Sequence, residues 1–433
     1  MLLNLEVTLR RIRSSPLAQN TAWITGGNAA RLGLQAFYFV LIARALGPNQ
    51  FGSFVGAVAL IGIVSPFAGI GFGLILIKNT ARDRTHFAES WGNALFMTVS
   101  SGLMLLLLMV LVARFLIGDK ISAHLILLVA AADLIFLPIV GLSGQAFQAF
   151  EKLSGTASTQ VVLALCRTGG ALVLLVPGLA RTASTWASLY LLSSACAALY
   201  GLGLVTRNLG RPRLALSKIS ADLAEGSYFA VGVSSQTIYN DIDKTMLVRL
   251  SDASAAGIYA TAYRLLDTSF QPVRAVLAAA YARFFRAGED GIGGSMKVVR
   301  KLLPYAAGYG VLAALFLYSF APAMPYILGR GFADSVAALR WLAPIAVIRC
   351  IHYFAADSLS GAGYQAIRAF VQFLIAVANI GLNFWLIPIY SWRGAAWASL
   401  ACDGALAVAL WTACFLLLRS SQRVEFAEVR GNI

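Results

Sequence analysis

Apolar runs of about 20 residues, the length a helix needs to cross the hydrocarbon core of a bilayer, recur twelve times along this chain. They lie at 21–43, 51–77, 91–117, 122–149, 157–178, 184–205, 227–250, 255–282, 302–328, 335–358, 366–389 and 394–418. Composition agrees: 59% of the 433 residues are hydrophobic and 12% are charged, about half the charge of a soluble domain. The chain is read as an all-α polytopic membrane protein with about 12 transmembrane helices.

Basic residues set its orientation, because Lys and Arg in short loops are retained on the cytoplasmic side. Twenty of the 34 lie in the N-terminus, the even-numbered loops and the C-terminus, among them Arg10, Arg11, Lys78, Arg82, Arg211, Arg213, Lys297 and Arg419. Seven, including Arg44, Arg181 and Arg330, lie in the opposite loops. Both termini are therefore placed in the cytoplasm, and an even number of spans is required. The net charge of +15 does not point to nucleic acid, since its excess sits beside helix ends, where topology and anionic lipid account for it. The first run is too long for a signal-peptide core and lacks a small-residue cleavage site, so it is expected to stay as the first helix. Cys166, Cys196, Cys350, Cys402 and Cys414 all fall in apolar runs without metal-ligand spacing, and His86, His124 and His352 are scattered. Neither set suggests a metal or catalytic centre.

The chain also repeats itself. A shift of 205 positions pairs Arg44 with Arg249, Gly52 with Gly257, Phe54 with Tyr259, Ala57 with Ala262 and Leu60 with Leu265. Two halves of six spans each would be parallel repeats about an axis along the membrane normal. The expected organisation is a cytoplasmic segment 1–20, an N-lobe 21–205, a cytoplasmic linker 206–226, a C-lobe 227–418 and a cytoplasmic tail 419–433.

Four cations, Arg31, Lys244, Arg264 and Arg274, stand inside the apolar runs, where a charge costs roughly 2.5–3.5 kcal/mol on insertion scales. Helical phase groups them with other polar residues, since positions i, i+3, i+7 and i+10 share a face. Run 1 carries Asn28, Arg31, Gln35 and Tyr38 at that spacing, run 8 carries Arg264, Asp267, Gln271 and Arg274, and run 7 carries Gln236, Asn240 and Asp243 beside Lys244. Interhelical pairing is one reading, with Lys244 against Asp241 or Asp243 and Arg264 against Asp267. A polar cavity lined by at least two of the cations is the other, favoured because the stripes of runs 1 and 7 are equivalent under the repeat and all three fall on runs 1, 7 and 8, beside its pseudo-axis. Asp133, Arg167, Arg340, Arg349, Asp357 and Asp403 stand apart from the stripes and are expected to be paired or at helix ends.

Several segments resemble a known family. They are Leu41-Ile-Ala-Arg-Ala-Leu-Gly-Pro-Asn-Gln-Phe-Gly52, Ser65-Pro-Phe-Ala-Gly-Ile-Gly-Phe-Gly73, Gly257-Ile-Tyr-Ala-Thr-Ala-Tyr-Arg264, and, near the end, Asn379, Asn383, Ile387-Pro-Ile-Tyr390 and Gly394-Ala-Ala-Trp-Ala398. In order and spacing the chain resembles the polysaccharide transporters, or Wzx-type lipid-linked oligosaccharide flippases, of the MOP superfamily, which also holds MATE exporters and lipid II flippases. The resemblance implies two pseudo-symmetric six-helix lobes around a central cavity worked by alternating access. It also implies a bacterial cytoplasmic (inner) membrane protein that moves a polyprenyl-diphosphate-linked glycan to the outer leaflet, in functional partnership with glycosyltransferases and a polysaccharide polymerase.

On that reading guanidinium groups suit a diphosphate because they bind it in a bidentate way and stay charged. Arg31, Arg264 and Arg274 are the leading head-group ligands, with Lys244 behind them. Asn28, Gln35, Tyr38, Tyr239, Asn240 and Gln271 are candidates for sugar hydroxyls, with ordinary interhelical hydrogen bonding as the alternative. Pro66 and Pro272 each remove an internal backbone hydrogen bond and are candidate hinges. Asp241, Asp243 and Asp267 are candidates for coupling to a proton or sodium gradient; an uncoupled cycle is the alternative, and no other cofactor is expected. A MATE-like exporter of cationic drugs would want an acidic cavity. A membrane enzyme of the same pathway, a polymerase or acyltransferase, would want a sizeable outer loop or a histidine-centred site, and the outer loops here are short.

Overall fold

The computed structural model describes residues 16–216, 219, 223 and 241–431, with side chains in the first helix from Arg31 onward. The Asn28 side chain, Gln236, Tyr239, Asn240, part of the predicted linker and most of run 7 lie outside the described residues. The chain divides into two compact units, Met1–Thr245 and Met246–Ile433. The first holds α1 (Pro16–Val64), α2 (Phe72–Arg82), α3 (Phe87–Ile117), α4 (Ala123–Ala131), α5 (Leu137–Ala149), α6 (Leu153–Val173) and α7 (Ala183–Asn208). The second holds α8 (Ala253–Ser269), α9 (Gln271–Gly288), α10 (Gly291–Phe320), α11 (Met324–Leu328), α12 (Ser335–Gly361), α13 (Gln365–Tyr390) and α14 (Trp392–Gly431). Residues 241–250 are also helical, and there is no strand among the described residues.

Eight stretches among the described residues are long and apolar enough to cross a membrane: Arg31–Phe67, Arg84–Ala113, Ala123–Ala149, Ala183–Asn208, Gly291–Leu328, Ser335–Gly361, Gln365–Tyr390 and Trp392–Ser420. The first takes in parts of two predicted runs, because α1 turns at Gly47 (φ 69°, ψ 172°) without losing its helical hydrogen bonding for long. Glycine supplies that left-handed φ, and Pro48 opens the next helical segment. The runs predicted at 157–178 and 255–282 are helical as α6 and as α8 with α9, but Arg167 dilutes the first and Arg264, Asp267 and Arg274 the second.

Side chains are sorted as a lipid solvent requires. The buried residues of α13 are Asn379, Asn383 and Ile387, whereas Phe370, Phe373, Leu374, Phe384 and Trp385 are exposed. Asn383 Nδ2 donates to Asn379 Oδ1 at 2.9 Å. Polar groups turned inward and aromatic groups turned outward invert the soluble pattern, because in hydrocarbon the polar side chain is the one that needs a protein partner.

Both units break a helix at a proline. After Val64, a 3-10 turn Ser65–Phe67 carries Pro66, and Gly69, Ile70 and Gly71 follow with φ of 85°, 44° and 72°. A β-branched residue at positive φ is a genuine outlier, held here between two glycines while Gly69 N–H donates to Ser101 Oγ at 2.8 Å. In the second unit Pro272 stands in the first turn of α9, just after Phe270 closes α8. The 205-residue shift carries Pro66 to within one residue of Pro272.

The segment after α7 is tied back to its own unit. Arg213 N–H donates to the Ala88 carbonyl at 2.8 Å, and the Asn93 amide exchanges two hydrogen bonds with the Ala215 backbone, at 3.0 and 2.9 Å. The approach requires glycine at position 92, where a Cβ would lie 2.3 Å from the Arg213 carbonyl oxygen.

Candidate functional site

In the N-terminal unit, the break after Pro66 opens a cavity of about 310 Å³ lined by Ser65, Gly69, Thr98, Asp133, Leu137 and Gln145 among others. Non-helical backbone at membrane depth is tolerated where it lines such a space. Opposite the break, residues Ala132–Phe136 form a π-helical turn between α4 and α5, a device common at functional sites because one extra residue per turn re-aims a side chain. It points Asp133 inward: the carboxylate is buried and accepts a hydrogen bond from the Tyr190 hydroxyl at 2.8 Å. The Arg167 guanidinium lies 4.2 Å from the Tyr190 ring centroid and also meets the Tyr38 hydroxyl. Its Nε and Nη2 are buried without a hydrogen-bond partner. The positive charge is therefore held by an aromatic face and by the field of Asp133.

The C-terminal unit gathers a longer array from four helices. Arg274 Nη2 on α9 donates to Asp267 Oδ1 on α8 at 2.6 Å. The same oxygen lies 3.8 Å from Arg349 Nη1 on α12. Arg349 Nε is 3.6 Å from Asp403 Oδ1 on α14, which also meets His352 Nε2 at 3.2 Å. Arg349 further donates to the Tyr263 hydroxyl. Exposure falls along the array, from 38% for the Arg274 side chain to 3% for Arg349 and Asp403. Buried charges survive only when paired and hydrogen-bonded, and here each carboxylate is shared between two cationic or basic neighbours.

The remaining predicted residues are distributed as follows. Arg31 and Gln35 are half-buried on α1, and Tyr38 is buried. Lys244 is buried and ion-paired with Asp241, while the Asp243 carboxylate accepts from the Lys244 backbone N–H at 2.8 Å. Arg264 is exposed and Gln271 half-buried. Asp267 sits between two guanidinium groups rather than alone. Asp357 pairs with Arg368 at 3.1 Å, and the Arg340 guanidinium lies 4.9 Å from the Tyr318 ring centroid.

A match to the family described as "Polysaccharide biosynthesis protein" spans residues 17–287, well over half of the chain. The chain belongs to that family. No curated protein matches it by sequence. Among solved structures, the inward-facing form of a multidrug resistance MATE family transporter of the MOP superfamily aligns with a TM-score of 0.73 at 14% identity, covering 91% of this chain and 99% of that one. The lipid II flippase MurJ, in an inward closed conformation, aligns at 0.72 and 11% identity, covering 90% and 87%. A MOP superfamily transporter from Pyrococcus furiosus, described as having a binding pocket of reverse polarity, aligns at 0.62 and 14%, covering 94% and 97%. The chain thus has the fold of the MOP transporters and is a multi-pass membrane protein.

Two clusters were not assembled from the sequence: Asp133 with Arg167 and Tyr190, and His352 with Asp403 and Arg349. For the second, one local signal existed, since Arg349 and His352 stand three apart on α12 and share a face. The first left none, as its three members come from three separate helices.

Proposed function

We propose that this protein is a transporter, not an enzyme, that flips a polyprenyl-diphosphate-linked oligosaccharide from the cytoplasmic to the outer leaflet by alternating access. Membership of a polysaccharide biosynthesis family is the observation that carries the reading, and a protein of the same fold is named a lipid II flippase. Such a substrate pairs a doubly anionic head group with an apolar tail and sugar hydroxyls. Arg31, Arg264 and Arg274 are the head-group ligands in this reading. Arg274 is already held in a defined rotamer by Asp267, so a diphosphate meets an oriented guanidinium and exchanges one anionic partner for another. Lys244, buried against Asp241, is the weaker ligand. Gln35, Tyr38 and Gln271, with Asn28, Tyr239 and Asn240, serve the sugar. Pro66 and Pro272 mark the flexing points, and the exported glycan passes to a polymerase.

Single replacements of Arg31, Arg264 and Arg274 by Ala and by Lys test the reading, with glycan export followed in cells beside the membrane abundance of each variant. Loss of one charge-assisted contact, worth about 1.5–3 kcal/mol, should lower export about tenfold or more at unchanged abundance. Lysine should restore only part of it, because a point charge does not reproduce the bidentate fork. Normal export by all three alanine variants would sink the proposal.

A further inference from the structure

Five side chains of the C-terminal unit form one path that alternates between basic and acidic groups: His352, Asp403, Arg349, Asp267, Arg274. Two features make it more than a set of paired charges. Single oxygens are shared at both junctions, Asp403 Oδ1 by His352 and Arg349, and Asp267 Oδ1 by Arg349 and Arg274. The path also runs from fully enclosed His352 and Asp403 to a half-exposed guanidinium. Aspartate accepts only, so the contact at Nε2 places the proton of neutral His352 on that nitrogen and leaves Nδ1 to take up a second.

We propose that His352 is a proton-binding group that sets the anion affinity of Arg274 through Asp403, Arg349 and Asp267. The inference rests on the reading of Arg274 as a head-group ligand. With both carboxylates ionised and His352 neutral, the five groups carry no net charge. Protonation at Nδ1 makes the imidazolium a full competitor for Asp403. Arg349 then turns more of its charge toward Asp267, and Asp267 holds Arg274 less. Arg274 is left freer to take an anion, and the added positive charge favours the anion directly. Both effects have the same sign: the anion binds more tightly when His352 is protonated, and by reciprocity anion binding draws a proton onto His352.

The surrounding groups leave this assignment to the histidine. On α14, Cys402 stands beside Asp403 and takes a hydrogen bond with Asn379 of α13. On α8, Tyr263 bonds Arg349. On α10, the Tyr309 hydroxyl donates to the Ser269 carbonyl at 2.7 Å. On α12 itself, Tyr353 stacks on the imidazole at 4.7 Å, and Cys350 is buried. Histidine is the side-chain type among these whose ordinary titration falls between about pH 5 and 8. Asp267 would first have to leave two guanidinium groups to act as a proton carrier.

The test uses the full chain in detergent and a short-chain prenyl diphosphate sugar, a diester whose charge stays constant between about pH 5.5 and 8. Binding should be at least about fivefold tighter at the acidic end, with proton uptake on binding in weakly buffered solution. His352→Gln should bind with a flat pH profile and take up no proton. A flat profile in the unaltered protein, or a slope kept by His352→Gln, overturns the relay. Should His352→Gln fail to fold, proton uptake by the unaltered protein decides, and its absence refutes the proposal. If Arg274→Ala weakens binding while the unaltered protein shows no pH dependence, the relay fails and the head-group reading stands. If the probe does not bind, or Arg274→Ala binds it equally well, the head-group reading of Arg274 falls and the relay with it.

Discussion

Tyr190 shows how a single hydroxyl carries a buried charge in this protein. It donates to Asp133 at 2.8 Å while its ring faces Arg167 and packs edge-on against Phe54 at 5.2 Å. Tyr190→Phe keeps the ring and removes the donor, leaving a buried carboxylate short of a partner, at a cost of about 1–3 kcal/mol. Thermal unfolding of the purified variant should show that loss. In an Asp133→Asn background the same change should cost less than half as much, because the charge that needed the donor is gone; equal costs would mean that ring packing alone holds Tyr190. At this scale the sequence showed which charges were anomalous and named a partner within one helical turn, Asp241 for Lys244, but not the partners that come from other helices. Helical phase put Arg264, Asp267, Gln271 and Arg274 in one stripe of run 8, and of these the structure joins Asp267 to Arg274 across the break between α8 and α9. Phase had no reach between runs, so Asp403 and Arg349, 54 positions apart, stayed separate. The repeat could not help either: shifted by 205, Asp133, Arg349, His352 and Asp403 fall on Ala338, Gly144, Phe147 and Ala198, so each cluster belongs to one half only.

At the scale of elements, the post-α7 segment is the clearest case of a loop with a fixed path. Three backbone-directed hydrogen bonds and one close approach pin 213–215 to the start of α3. Gly92→Ala places a methyl group 2.3 Å from the Arg213 carbonyl oxygen, too near for anything but displacement of the strap. Asn93→Ala removes two of the hydrogen bonds without a clash. Both should expose Arg207, Arg211 and Arg213 to trypsin, with cleavage rates rising about tenfold or more for a loss of roughly 1.5 kcal/mol or more of local stability. Rates equal to those of the unaltered protein would mean that the segment is held by other contacts. Apolar run length announced most helices, and the gap between runs 1 and 2 falls where α1 turns at Gly47. The π-turn at Ala132–Phe136 was not legible, since nothing in local propensity distinguishes one extra residue per turn until the neighbouring helices impose it.

At the scale of the whole molecule, the distribution of Lys and Arg makes a claim that the fold alone does not. If basic loops are retained inside, Asn49, exposed in the bend of α1, faces the exterior, and Asn208, exposed at the end of α7 among Arg207, Arg211 and Arg213, faces the cytoplasm. Single cysteines at these two positions, in a background with the five native cysteines replaced by serine, separate the alternatives. Asn49→Cys should react with a membrane-impermeant maleimide in intact cells, and Asn208→Cys only after the membrane is opened. The opposite pattern would invert the orientation and, with it, the direction of lipid movement proposed for the protein. Reaction at both positions in intact cells would mean that the chain does not span as its charges require. The test bears on the proposed function because outward flipping requires that the leaflet where the substrate is made be the one that the basic loops face.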